Sequence, residues 1–184
     1  MRTFGIDNDT LRSAVGFAVE AAREGAPTDA SLVEARCAER VFAVAAWSCL
    51  VEPGDSVAAQ LVLGLGASRA LEVLVERRTA EQICAELTDA THESPNRLDV
   101  GEIDKGLARW TPRLAERTVL HALGTARRVG LALVLPGDPR WPEQLDALDA
   151  HAPLCLWARG DLRAVNGERS DWHAAELNLA LLPC

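Results

Sequence analysis

The sequence predicts a mainly α-helical protein that ends in a short, incomplete α/β segment. Three observations predict it. Between Thr10 and Val129, apolar residues recur at three- and four-residue spacing, punctuated by residues that start and stop helices. Leu131 to Leu135 is then an unbroken apolar run, the pattern of a strand buried on both faces. Pro136-Gly137 follows as a turn pair, and a second apolar run, Leu154 to Trp157, is closed by Gly160.

Thr10 is placed to cap a helix reaching about Glu24, with Leu11, Val15, Ala18 and Ala22 on one face. Gly25-Ala26-Pro27 breaks it. Ser31 and Glu34 have the spacing of a capping box. The helix they open runs toward Leu50, with Val33, Cys37, Val41, Val44 and Ser48 on one stripe and Phe42, Ala45 and Trp47 widening it. Trp47 is expected in the core. Glu52-Pro53-Gly54-Asp55 reads as a helix stop followed by a cap, and a helix from Ser56 to Leu63 then meets Gly64-Leu65-Gly66.

The Gly64 segment admits several readings. As a dinucleotide loop it is poor, because Arg69 stands where the third glycine belongs and the lead-in is helical. As a helix-hairpin-helix turn, Val62, Gly64, Leu65, Gly66 and Ala70 fit the apolar-glycine pattern. The glycines then permit a tight turn, free N–H groups at the next helix start can meet a phosphate, and Arg69 lies close by. As a plain packing corner it needs no ligand, and the acidic flanks favour this last reading. Gly64, Gly66 and Arg69 are the candidate DNA-contact residues.

A helix from Ala67 to about Arg77 follows, with Glu72, Glu76, Arg77 and Arg78 as a solvated face. Thr79 to Leu87 opens another, with Ile83 and Leu87 inward. Thr88 to Asn96 reads as a loop containing Pro95 and an exposed His92, with nothing nearby to make that histidine a catalytic base. Asp99 to Trp110 carries Ile103, Leu107 and Trp110 on one face. Thr111-Pro112 starts a further helix, interrupted at Gly124 and closed by a left-handed Gly130. Arg117, His121, Arg127 and Arg128 share its outer side. Such a group can touch a phosphate backbone, but more often it simply faces solvent. After Leu135, Asp138 is expected to cap a helix with Pro139 at its first position and Pro142 in its first turn, turning Leu145 and Leu148 inward.

The stretch Pro136-Gly137-Asp138-Pro139-Arg140-Trp141-Pro142, with Leu145 and Leu148, and the stretch Ala152-Pro153-Leu154-Cys155-Leu156-Trp157-Ala158-Arg159-Gly160-Asp161-Leu162 resemble the DNA-processing protein A family (DprA, or Smf). Its members carry a PGDPxWPxxLxxL…APxxLWxRGxL pattern at the entry to a Rossmann-like domain. Ala45 to Asp55, AAWSCLVEPGD, is similar to the first helix and loop of the family's N-terminal domain, which is related to sterile-alpha-motif (SAM) and helix-hairpin-helix (HhH) folds. Asp99 to Trp110 resembles that domain's last helix. The resemblance implies a SAM/HhH-like helical domain over 38–112 and the start of a Rossmann-like domain over 113–164. An N-terminal extension, 1–37, and a divergent tail, 165–184, flank them.

Family members bind single-stranded DNA during natural transformation, shield it and help load a RecA-type recombinase, and they are not enzymes. The resemblance therefore implies single-stranded DNA and a RecA-type recombinase as partners, with a homodimer as a further possibility. Beyond Leu162 the family continues into a strand and a Gly-Ser/Ala-Arg loop that is implicated in DNA binding. That loop is not in this sequence, since Gly167-Glu168-Arg169 lacks a preceding apolar strand. The expectation is a truncated member with impaired DNA binding, its last residues coming from a shifted reading frame or a chance terminus. The alternative is a divergent paralogue with a short tail of its own. Two strands and a helix cannot cover both faces of a parallel sheet. Residues 131–162 have then either lost their partner layer or lean on the helices, leaving Trp141, Trp157, Leu133 and Leu156 partly exposed or packed in a substitute way.

Composition narrows the rest. The chain has 184 residues, a net charge of −8 and a mean hydropathy of +0.01. Lys and Arg stand against Asp and Glu at 5 to 9 in residues 1–60, 7 to 9 in 61–115 and 7 to 9 in 116–184. No segment is basic, so any nucleic-acid contact must be a local patch. The five cysteines (37, 49, 84, 155 and 184) form no Cys-x-x-Cys pair, which argues against zinc and for reduced thiols. No apolar run reaches the ~20 residues of a membrane helix, and no signal-peptide core is visible, so a cytoplasmic location is expected. No cofactor, metal or catalytic residue is expected, because the sequence holds no Gly-x-Ser-x-Gly elbow, His-Glu-x-x-His or P-loop. Asp161 alone, after a strand, does not make a site.

Overall fold

Among the described residues, seven α-helices wrap a core into which a small antiparallel sheet is inserted. The structure, a computed structural model, describes residues 6–22, 31–90, 98–160 and 178–180, without the side chains at 8, 19–22, 31–36 and 178–180. The helices are α1 (Asn8–Ala22), α2 (Ser31–Leu50), α3 (Ser56–Leu65), α4 (Ala67–Val75), α5 (Ala80–Ala90), α6 (Val100–Trp110) and α7 (Glu116–Arg128). The Gly25-Ala26-Pro27 break, the Pro95 and His92 loop, Asp161 and Leu162 lie outside the described residues, as do the side chains of Ala22, Ser31, Val33 and Glu34.

α2 is the central helix and packs against α1, α4 and α7. Its residues Val41 to Trp47 are all buried, as are Cys49 and Leu50. A helix apolar on so many sides belongs in the middle of a bundle. Trp47 is fully buried, as expected. Its indole meets Trp110 of α6 edge to face, with ring centroids 5.4 Å apart at 82°, and its Nε1 donates to the Ala67 carbonyl at 3.1 Å. Two such side chains, each burying about 150–250 Å², dominate a core of this size.

Several expected boundaries are corrected. α1 is capped by Asp7, not Thr10: the Asp7 carboxylate accepts from the Asp9 and Thr10 N–H groups and from the Thr10 hydroxyl. α3 runs through Gly64 to Leu65, because an interior glycine weakens a helix without ending it. α5 continues to Ala90, beyond Leu87, where Thr88 bonds back to the Cys84 carbonyl. Thr111–Arg113 forms a separate 3-10 turn before α7, and α7 passes through Gly124 uninterrupted. Gly130, at φ +68, closes it: its N–H bonds to the Arg127 carbonyl and that of Leu131 to Ala126. Asp99 caps α6 in a complete capping box with Glu102.

The C-terminal segment departs furthest from expectation. β1 (Ala132–Val134) pairs antiparallel with β2 (Leu156–Arg159), with Leu133 opposite Trp157. β2 pairs antiparallel with β3 (Asn178–Ala180), which lies in the region expected to be a divergent tail. No parallel pair occurs among the described residues. A crossover onto a parallel neighbour is usually carried by a full α-helix packed on the sheet. Here the connection holds a 3-10 helix, Glu143–His151, broken at Asp149 (φ 48). Asp138 does not cap that helix. It accepts from the Arg140 N–H and guanidinium, while Pro142 occupies the cap position. Leu145 packs inward against Trp141, but Leu148 is 47% exposed.

The apolar faces of the strands are nonetheless covered. Leu131, Leu133, Cys155 and Trp157 are buried in the same cluster as the helices. Val134, Trp141 and Ala158 form a small second cluster on the other face. Trp157 Nε1 donates to the Ser48 hydroxyl at 3.2 Å, and His151 Nδ1 lies 3.1 Å from the Gly54 carbonyl. Of the two alternatives for residues 131–162, the structure takes the one in which they lean on the helices. Leu133, Trp141 and Trp157 are buried, and only Leu156 stays half-buried.

Candidate functional site

Gly64 and Gly66 have different jobs. Gly64 sits in the last turn of α3, whereas Gly66 alone makes the corner, at φ +78 and ψ 150. Its N–H bonds to the Val62 carbonyl at 2.8 Å, and its own carbonyl accepts from Ala70 at 2.9 Å. α3 and α4 meet there at 108°. The first N–H groups of α4 have no side-chain cap. Leu63 beside the corner is 87% exposed.

Arg69 is held in place by acids. Its Nε and Nη2 bond both oxygens of Glu86, and Nη1 reaches Glu72 at 3.2 Å and Glu76 at 3.4 Å. The bond to Glu86 holds the guanidinium above its ordinary pKa and the Glu86 carboxyl below its own. A phosphate brought to the corner would face three carboxylates around one arginine. The arrangement does the work of a packing corner: it fixes α4 to α5, while the Trp47 indole fixes the start of α4 to α2.

The other basic group is differently placed. Arg117, His121 and Arg128 are exposed along one line of α7, and Gly124 stands exposed in the same line. Among the described residues, Arg128 bonds the Thr125 hydroxyl alone, at 2.9 Å. Arg127 turns to the neighbouring side, where it lines a groove of about 500 Å³ between α1 and α7. Asp9, Thr10 and Ser13 form the opposite wall, and Ala14, Leu120, Leu123 and Gly124 the floor. The sequence expectation of one shared outer side holds for Arg117, His121 and Arg128 but not for Arg127, and the sequence showed no sign of the groove. Its one local signal was a glycine three residues before an arginine inside a helix.

No other chemistry assembles among the described residues. Asp138, expected as a cap, is ion-paired: burial works to raise its pKa, but the Arg140 guanidinium and N–H hold it below the usual carboxylate value. Burial pushes the Cys155 thiol up to about 12, against a hydrogen bond with Ser48, so it is no nucleophile. Among the described residues Cys37, Cys49, Cys84 and Cys155 form no disulfide, and no group of three His, Cys, Asp or Glu side chains could hold a metal. No single helix among them is long and apolar enough to cross a membrane. No family model, curated protein or solved structure matches the chain.

Proposed function

We propose that the chain is a DNA-processing protein of the DprA/Smf type, a partner of single-stranded DNA and of a RecA-type recombinase rather than an enzyme. The reading is carried by the dense pattern over residues 136–162, and several of its residues have a physical reason to be what they are, although Leu148 and Arg159 stand exposed. Gly137 and Gly160 take φ +85 and +118, where other residues are strained. Asp138 holds Arg140, Trp141 is buried with its indole on Asp146 at 2.9 Å, and Trp157 is buried against Ser48. Residue choices that answer to one turn-and-strand unit are the signature of a shared ancestor more than of chance. The SAM/HhH-like and Rossmann-like assignments belong to the same proposal.

Because residues 163–184 depart from the family's Gly-Ser/Ala-Arg pattern, binding of this chain to DNA is expected to be weak. The test has two arms: anisotropy titrations with labelled single-stranded and duplex oligonucleotides, and retention of a purified RecA-type recombinase by the immobilised chain. The reading predicts weak binding that favours the single strand, together with retention of the recombinase. Tight binding at physiological salt contradicts the weak-binding part. Preference for duplex with no retention contradicts the reading as a whole and favours a helical module that contacts duplex phosphates through the Gly66 corner.

A further inference from the structure

We infer that the exposed line of α7, with the α1–α7 groove beside it, is a contact site for the phosphodiester backbone of single-stranded nucleic acid. The inference rests on the reading above but locates the contact where no family pattern lies. It starts from two residues that the fold has no use for. A glycine inside a helix costs about 1 kcal/mol relative to alanine. Gly124 is such a glycine, and a β-carbon built on it meets nothing within 4 Å. Gly106 of α6, by contrast, is required by the Trp110 ring pressed against it. Arg117 stands in the first turn of α7, where the helix dipole disfavours a cation.

Both residues lie on the same exposed line, and neither has a compensating partner. Arg117 and Arg127 make no hydrogen bond or ion pair among the described residues, and Arg128 meets only a hydroxyl. Elsewhere on this acidic chain Arg69, Arg78, Arg109, Arg113 and Arg140 pair with carboxylates, whereas Arg12, Arg40, Arg77 and Arg159 stand exposed and singly, without an ion pair among the described residues. Local choices that lower stability without a return inside the fold mark functional surfaces. The occupant is set by charge and shape. Arg117 and Arg128 lie eleven residues apart, about 16 Å along the helix, so the cations suit an extended polyanion better than one small anion. Asp9, across the groove, repels phosphate and keeps it on the α7 side. Bare backbone at Gly124 lets a sugar or base come close above the apolar floor, in a space of the size that small ligands occupy.

The experiment is anisotropy of a labelled oligothymidylate titrated with the full chain over a series of salt concentrations. Three arginines releasing counterions from a single strand give a log–log slope of about −2. Arg117→Ser is expected to weaken binding several-fold and to flatten the slope by about 0.7. Gly124→Leu is expected to raise or preserve the thermal midpoint while weakening binding several-fold, a combination that damage to the fold does not produce. Unchanged binding in either variant, or no binding by the wild-type chain at low salt, overturns the site. Retention of the recombinase by Arg117→Ser separates failure of this site from failure of the DprA-type reading.

Discussion

At Gly106 a β-carbon would lie 2.5 Å from the Trp110 ring, closer than real atoms approach. Trp110 has no second place to go. It is buried, edge-on to Trp47, with its Nε1 on the Asp55 carboxylate at 3.1 Å. Gly106→Ala should therefore destabilise the chain by about 1–3 kcal/mol through overpacking, despite alanine's better helix propensity. Urea denaturation measures it, and an unchanged midpoint would show that the indole can move aside. Arg69 teaches the converse lesson. Glu72 and Glu76, expected on a solvated face, turn to it, but its main partner, Glu86, is seventeen residues away and on another helix. No local pattern reveals a partner that only the fold brings near. Asp7 and Thr10 show the same limit over three residues: either can cap a helix, and only the entry angle of the chain decides.

Between elements, Asp55 is the principal joint. Its carboxylate caps α3 through the Ala58 N–H, pairs with Arg109 at 2.9 Å and receives the Trp110 indole. Burial works to raise its pKa, but those three donors together hold it below the usual carboxylate value. A depressed folded-state pKa means that the contribution is complete above the ordinary value of about 4 and is lost as pH falls through the lower one. Asp55→Ala should cost at least about 1 kcal/mol at neutral pH through loss of the cap. Asp55→Asn should keep most of the capping and flatten stability against pH below about 4. Thermal midpoints measured from pH 7 to pH 3 give both answers, and an Asn variant with the wild-type acid slope would remove Asp55 from the account. The helices themselves were legible because spacing is local: the Asp55 cap and the Gly130 stop stand where expected, and Ile83, Leu87 and Ile103 all face inward, although the caps expected at Thr10 and Asp138 lie elsewhere. The direction of strand pairing was not, because the run Leu131–Leu135 looks the same in a parallel or an antiparallel sheet, and the decision lies in the connection.

Over the whole molecule, what matters is how a three-stranded antiparallel sheet stays folded at this size. A small sheet needs a hydrophobic face packed against something else, and here the helices supply it. Leu133 and Trp157 enter the same cluster as Val41, Phe42 and Leu123. The Ser48–Trp157 and Gly54–His151 contacts tie the segment to α2 and to the loop after it. The sequence exposed both halves of this arrangement, the apolar strands and the helix-rich remainder, and left open whether the helices would serve as the missing layer of the strands; the structure decides that they do. Native-state hydrogen exchange tests this most directly, by comparing the slowest amides of β1 and β2 with those of α2 and α7. A shared core predicts that all four exchange through one global opening with the same free energy and the same denaturant dependence. Strand amides that exchange through a separate, much cheaper opening while the helices stay closed would contradict it.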